Sequence, residues 1–363
     1  MENFKEKMQK SGMDTCNRWG IYEVALDGPK EGNPFTEQRV TGTFHSINET
    51  VSCDGFYDGD GIYRIRFMPS FEGEYTYQIQ TTFVKEYEGH FTVIKPKENA
   101  HGPVRVANTY HMAYEDGTPY YSIGTTCYVW ELQSDELIEQ TFDTLKNSAF
   151  NKIRFCIFPK HYDYNLREPR SYPYEGTPMD SSILTTENFW DYTGKTKGNH
   201  WDFTRFNPKH FQHIENCIRR LGELGIEADL IMMHPYDRWG FSQMTKEQDD
   251  LYWNYAVARF SAFANVWWSL ANEYDLMPHK AIQDWERYAS ILCERIHIII
   301  CVPYITVCHC TIFQDRGLHI AAYSALIYIR VLKLQMNSVS VIISLLCLTK
   351  LLMRVIYSMD GEI

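Results

Sequence analysis

Residues 265–275, NVWWSLANEYD, set an amide and a carboxylate, Asn272 and Glu273, at the end of a short apolar run. A carboxyl group can give a proton to a leaving oxygen or take one from water. An amide beside it can hold a substrate hydroxyl. A buried strand that ends in such a pair is how a (β/α) barrel presents catalytic groups. The same letters also fit a helix N-terminus, with Asn272 as the cap and Glu273 in the first turn. The upstream elements favour the strand.

Three further strand-like runs precede it, at residues 120–128, 151–158 and 227–233. Helical patterns lie between them: one opened by Ser134 and running to about Asn147, one over 208–224 closed by Gly225, and one over 245–264. This alternation predicts a parallel sheet of the (β/α)8 TIM-barrel type, with its active face at the C-terminal strand ends. Those ends gather Tyr128 and Trp130, then Arg154, Lys160 and His161, then His234, Tyr236 and Trp239, then Asn272 and Glu273. Hydrogen-bond donors, aromatic planes and a carboxylate together suit a carbohydrate, which offers hydroxyls at its edge and C–H groups on its face. Glu273 is therefore the candidate catalytic residue. Asn272, Arg154, His161, His234, Tyr236, Trp239, Tyr128 and Trp130 are candidate sugar contacts. A glycosidase needs two carboxyl groups, and Glu273 supplies one.

Each assignment has a plainer alternative. His161 and His234 could ligate a metal, but no H-x-H or H-E-x-x-H spacing is present, so no metal is assigned and no cofactor is expected. Arg154 could balance a buried carboxylate inside the barrel instead of holding sugar. Trp130 and Trp239, taken singly, also suit core positions. The aromatic stretch 159–206 is too long for a plain connection and is expected to be functional.

Upstream, a polar lead-in (1–15) gives way to short alternating runs broken by turn residues, which predicts a β-sandwich accessory domain over 16–97. Asp58 and Asp60 could bind calcium there, although a solvated hairpin turn fits them better. A polar linker with Gly102 and Pro103 separates this domain from the barrel region, 104–295. A net charge of −11 over 363 residues argues against nucleic acid as a partner. The first residues lack an apolar leader, and the ten cysteines lack regular spacing, so free thiols in a reducing cytoplasm are expected.

The motifs GFYDGDG at Gly55, NKIRFCIFPKHYDYN at Asn151, HPYDRWGF at His234 and SLANEYD at Ser269 carry a resemblance that spans Trp19 to Glu294. The chain resembles bacterial proteins that join a small β-sandwich of unassigned function to a barrel of the retaining glycoside-hydrolase superfamily, apiosidase-like enzymes among them. The resemblance implies Glu273 as general acid/base, Asn272 on a sugar hydroxyl, and a plant-type oligosaccharide as substrate. It also implies a nucleophilic glutamate at the end of a seventh strand, for which this chain has no match.

Composition changes after Arg295. Only Asp315, Asp360 and Glu362 are acidic there, four of the ten cysteines fall there, and the βα alternation stops. Cys308, His309 and Cys310 form a metal-like cluster. Residues 338–349 are strongly apolar yet short of the roughly 20 residues that a membrane span needs. Decoded one base out of register, the tail resembles the family's continuation. It is therefore expected to be out of frame, leaving the barrel truncated after its fourth βα unit and the chain inactive. A non-catalytic carbohydrate-binding protein is the rival from another class; a tail-anchored membrane protein is a third reading.

Overall fold

The computed structural model describes residues 15–295, except 85, 108–110, 163–164, 166, 184 and 186–196. The first fourteen residues, the Cys308–Cys310 cluster, the apolar run 338–349 and the rest of the tail lie outside the described residues.

The N-terminal region is strand-rich. Its strands are β1 (Thr15–Asn17), β2 (Tyr22–Asp27), β3 (Val40–His45), β4 (Thr50–Asp54), β5 (Phe56–Tyr57), β6 (Ile62–Phe67), β7 (Gly73–Thr81) and β8 (Tyr87–Ile94). They form a five-stranded sheet in the order β1-β8-β7-β3-β4 and a three-stranded sheet in the order β2-β6-β5. Alternation along β7 turns Tyr75, Tyr77 and Ile79 inward. There they meet Phe44 of β3, Phe67 of β6 and Phe91 of β8 in one core, as two sheets packed face to face require. A four-residue helix, α1 (Pro34–Glu37), sits between β2 and β3.

A three-stranded meander follows: β9 (Val104–Ala107), β10 (His111–Tyr114) and β11 (Pro119–Tyr120). The sequence pattern predicts no element over 104–119, within the barrel region, and a strand from Tyr120 to Tyr128. The actual strand, β12 (Gly124–Thr126), begins only after residue 123, because Asn151 holds the intervening chain: its Nδ2 donates to the Tyr121 carbonyl at 2.7 Å and its Oδ1 accepts from the Ile123 amide at 2.8 Å.

β12, β13 (Lys152–Cys156), β16 (Glu227–Met233) and β17 (Val266–Ala271) make a four-stranded parallel sheet in that order. It is open among the described residues, with no closed barrel. The connecting helices are α2 (Asp135–Lys146), α3 (Pro208–Glu223) and α4 (Lys246–Phe260), and α5 (Ile282–Arg295) follows β17. Ser134 caps α2 by accepting from the Leu137 amide. Thr245 and Gln248 form a capping box on α4, and Gly225 stops α3 with φ at +69°. Between β13 and α3 runs a hairpin of β14 (Tyr174–Thr177) and β15 (His200–Phe206), which packs Tyr174 and Phe206 into the core.

The sheet is buried on both faces, and the faces differ. Ile153, Phe155, Ala228, Leu230, Met232, Trp268 and Leu270 pack outward under the helices. The inner face carries Lys152, Arg154, Asp229 and Ser269, tied by Lys152 Nζ to Asp229 at 3.4 Å and by the Ser269 hydroxyl to Asp229 at 2.7 Å. Below them the Trp267 indole donates to Glu227 at 2.8 Å, and β9–β11 close that end through Val104 and Tyr120.

The N-terminal strands join the helical layer through charge. Glu23, Arg66, Glu215, Arg259, Asp58 and Arg64 form a closed ring of alternating sign. Arg64 reaches Glu23 at 2.5 Å and Asp58 at 2.5 Å, Arg66 reaches Glu23 at 2.6 Å, and Arg259 reaches Glu215 at 2.7 Å. The Arg66–Glu215 and Arg259–Asp58 pairs are direct contacts as well. Asp58, whose sequence setting suggests a solvated turn residue, is buried here. It accepts from Gln212 at 3.0 Å in addition to its two arginines.

Candidate active site

The C-terminal ends of the four parallel strands converge on Glu273. The residue sits just past β17 with φ 54° and ψ 57°, in the left-handed region that a non-glycine residue adopts at a cost. The β17 run therefore ends as a strand, and Asn272 does not cap a regular α-helix. Two donors hold the same carboxylate oxygen. The Tyr236 hydroxyl donates to Glu273 Oε2, and Asn272 Nδ2 donates to it at 3.0 Å. Asn272 in turn accepts from the Tyr128 hydroxyl at 3.5 Å, and its backbone amide is fixed by the Met233 carbonyl at 2.9 Å.

Residues from the loop after β13 close in from the side. The His161 amide donates to the Tyr236 carbonyl at 3.0 Å. Lys160 stands 3.3 Å from the centre of the Tyr128 ring and 4.1 Å from that of Tyr236. Burial pulls the pKa of its ammonium down from the ordinary lysine value, partly offset by Cys156 and Glu273. His234 lies beneath, its Nε2 on the Phe158 carbonyl at 3.2 Å. Burial takes its pKa down to about 3, with Lys160 adding to the shift, so the ring is neutral and donates through Nε2. Its Nδ1 has no partner among the described residues. Arg154 reaches the Ser269 hydroxyl at 3.1 Å one layer down, and that hydroxyl rests on Asp229. Arg154 is thus linked to a buried carboxylate through serine, close to the plainer alternative for it.

The structure brings Tyr128, Arg154, His161, His234, Tyr236, Asn272 and Glu273 to one end of the sheet. Two expected sugar platforms are elsewhere. Trp130 is 3% exposed and packs edge-on against Phe142 and Phe155 in the outer core. Trp239 is 1% exposed and packs against Tyr172 and Phe241. Both lie near the strand ends in sequence, but both rings are buried, Trp130 against Phe142 of α2 and Trp239 between Tyr172 and Phe241, and they offer no face to a ligand. Sequence reasoning passed over Ser269, hidden inside an apolar run, and Tyr162, whose ring meets Tyr128 edge-on. It also passed over Glu131, fully buried behind the site with neither oxygen partnered among the described residues. Burial pushes the Glu131 carboxyl well above the usual carboxylate range.

The arrangement is a carboxyl group with one oxygen immobilised by a tyrosine and an amide and the other left for chemistry. Such a group can pass a proton to or from a bound hydroxylic substrate. Among the described residues no three His, Cys, Asp or Glu side chains converge as metal ligands would, and no helix is long and apolar enough to cross a membrane.

Residues 106–316 match the family described as apiosidase-like, catalytic domain. Residues 15–82 match a domain of unknown function, DUF5060. Among solved structures, a candidate glycoside hydrolase from Bacteroides vulgatus ATCC 8482 is similar at 39% identity and a TM-score of 0.71, over 78% of this chain and 54% of that one. The chain thus spans about half the length of that protein. A glycoside hydrolase family 5 protein from the same organism is 14% identical, with a TM-score of 0.37 over 54% of this chain and 38% of that one. An endo-1,4-beta-mannanase from Rhizomucor miehei is 16% identical, with a TM-score of 0.34 over 53% of this chain and 57% of that one. These last two likenesses are too loose to bear on mechanism. No curated protein matches the chain.

Proposed function

The chain belongs to the apiosidase-like catalytic-domain family, and from that premise we propose that its site is built for retaining hydrolysis of an O-glycosidic bond in a plant-type oligosaccharide. Glu273 is the general acid/base: its free oxygen protonates the leaving sugar oxygen in the first step and takes the proton of water in the second. Asn272 and Tyr128 meet sugar hydroxyls, and Arg154 and His234 support the site from beneath. The observation that carries this reading is the double hold on Glu273 Oε2 by Tyr236 and Asn272 at the end of a buried parallel strand.

A retaining enzyme sets its second carboxyl group about 5–5.5 Å from the first. The resemblance assigns it to a seventh strand, and the described residues of this region carry four parallel strands. We read β12, β13, β16 and β17 as the first half of a TIM barrel. On that reading this polypeptide binds oligosaccharide and turns it over slowly or not at all. The test pairs reducing-sugar release with calorimetric binding, for the full chain and for Glu273→Gln. Binding by both proteins with negligible hydrolysis is expected. Turnover by the unmodified chain would overturn the inactivity. Turnover that survives Glu273→Gln would remove Glu273 from the chemistry.

A further inference from the structure

We propose that Lys160 is a positioning residue that ties the Asn272–Glu273 pair together through two tyrosines. Its functional meaning rests on the acid/base reading of Glu273, whereas the contacts themselves do not. The Lys160 side chain is 3% exposed, and its ammonium makes no ion pair or hydrogen bond among the described residues. What surrounds it is aromatic: Tyr128 at 3.3 Å, Tyr236 at 4.1 Å and Tyr162 at 5.1 Å, measured to ring centres.

The two nearest rings do the same thing. Tyr128 donates to Asn272 Oδ1 and Tyr236 donates to Glu273 Oε2. Asn272 closes the circuit by donating to that same Oε2. A cation against a phenol face is attracted to the ring and draws electron density from it. The polarised hydroxyl then becomes a stronger donor toward a carboxylate. One buried charge thereby sharpens both donors at once and leaves Glu273 Oε1 as the oxygen free to move a proton.

The backbone around Lys160 is set for this. Its carbonyl accepts from Asn165 Nδ2 at 2.9 Å, and the next amide, His161, is fixed to the Tyr236 carbonyl. Glu273 needs the hold, because its left-handed backbone persists only where the surroundings over-determine it. As a space-filler, an unpaired buried ammonium is a poor choice: burial already pulls its pKa down, and an apolar side chain of the same length avoids the desolvation cost.

The test compares the full chain with Lys160→Met, Lys160→Arg and Tyr162→Phe, using ring-carbon-labelled tyrosine for NMR and thermal melting in parallel. In Lys160→Met the Tyr128 and Tyr236 Cζ resonances should both move, and the downfield proton of the Tyr236–Glu273 hydrogen bond should weaken or vanish. The melting temperature should hold or rise. Lys160→Arg, which keeps a cation on the rings, should bring the resonances part of the way back, and Tyr162→Phe should leave them in place. Unmoved resonances in Lys160→Met, or a melting temperature that falls with them, would overturn the proposal in favour of a passive packing role. Because resonances and melting need no turnover, failure of the glycosidase reading and failure of this one remain separate results.

Discussion

Two buried polar clusters in this chain follow opposite rules. In the ring that joins the N-terminal strands to helices α3 and α4, each of three carboxylates stands between two guanidiniums. At the strand ends around Glu273, the ammonium of Lys160 meets tyrosine faces, His234 keeps an unused nitrogen, and Arg154 Nε has no partner among the described residues. Buried charge is costly unless it is paired. The ring has its pairing within the chain, as a structural element must. The strand-end cluster keeps polar groups whose pairing is incomplete among the described residues, which fits the sugar site proposed above.

The largest expected effect breaks the ring. Arg259→Met leaves Asp58 and Glu215 buried without their shared cation, which should cost about 3–5 kcal/mol in a denaturant titration. A cost below about 1 kcal/mol would mean that water already enters the interface. Acid acts on the two clusters in different windows. Arg66 and Arg259 beside Glu23 and Asp58 hold those carboxyls below their usual values despite burial. The stability they contribute is therefore complete above the unfolded carboxylate values near 4 and is lost as pH falls below them. His234 is held neutral, with its pKa at about 3 against 6.5 when unfolded. The unfolded chain binds the additional proton in that interval, so stability falls as pH drops from about 6.5 toward 3. His234→Gln should flatten that slope by up to about 1.4 kcal/mol per pH unit, read from urea melts at pH 7, 6 and 5. An unchanged slope would show that His234 is charged or solvated in the folded chain.

Smaller effects sharpen the contrast. Trp239→Phe should cost about 1–3 kcal/mol of stability for the volume it removes from the core while leaving sugar affinity alone; weakened binding would return Trp239 to the site. Smallest of all, Glu273→Gln should change stability by less than about 1 kcal/mol, since the amide oxygen of glutamine can still accept from Tyr236 and Asn272.

How much of this was legible in sequence follows from what each signal depends on. The strands at 227–233 and from Val266 were readable because a short apolar run between two capped helices is too brief for a third helix and too greasy for a loop. Ser134, Thr245 and Gly225 mark helix ends by local chemistry alone. Convergence on Glu273 was readable because strand-end positions in a parallel sheet share one face. The orientation of Trp130 and Trp239 was not, since a residue just past a strand end can turn toward Glu273 or into the surrounding core, and only packing against Phe142 or Phe241 decides. The meander at 104–120 was missed because strands of two to four residues leave almost no period to detect. Asp58 was misplaced because its partners Gln212 and Arg259 lie 154 and 201 residues away along the chain.

The central claim, that the incomplete cluster is a carbohydrate site, is tested most directly by titrating size-fractionated plant cell-wall oligosaccharides into the full chain and into Asn272→Ala by calorimetry. The account predicts saturable heat from at least one fraction, lost in Asn272→Ala while that variant still melts cooperatively. Heat that persists undiminished in Asn272→Ala, or its absence with every fraction, would contradict it.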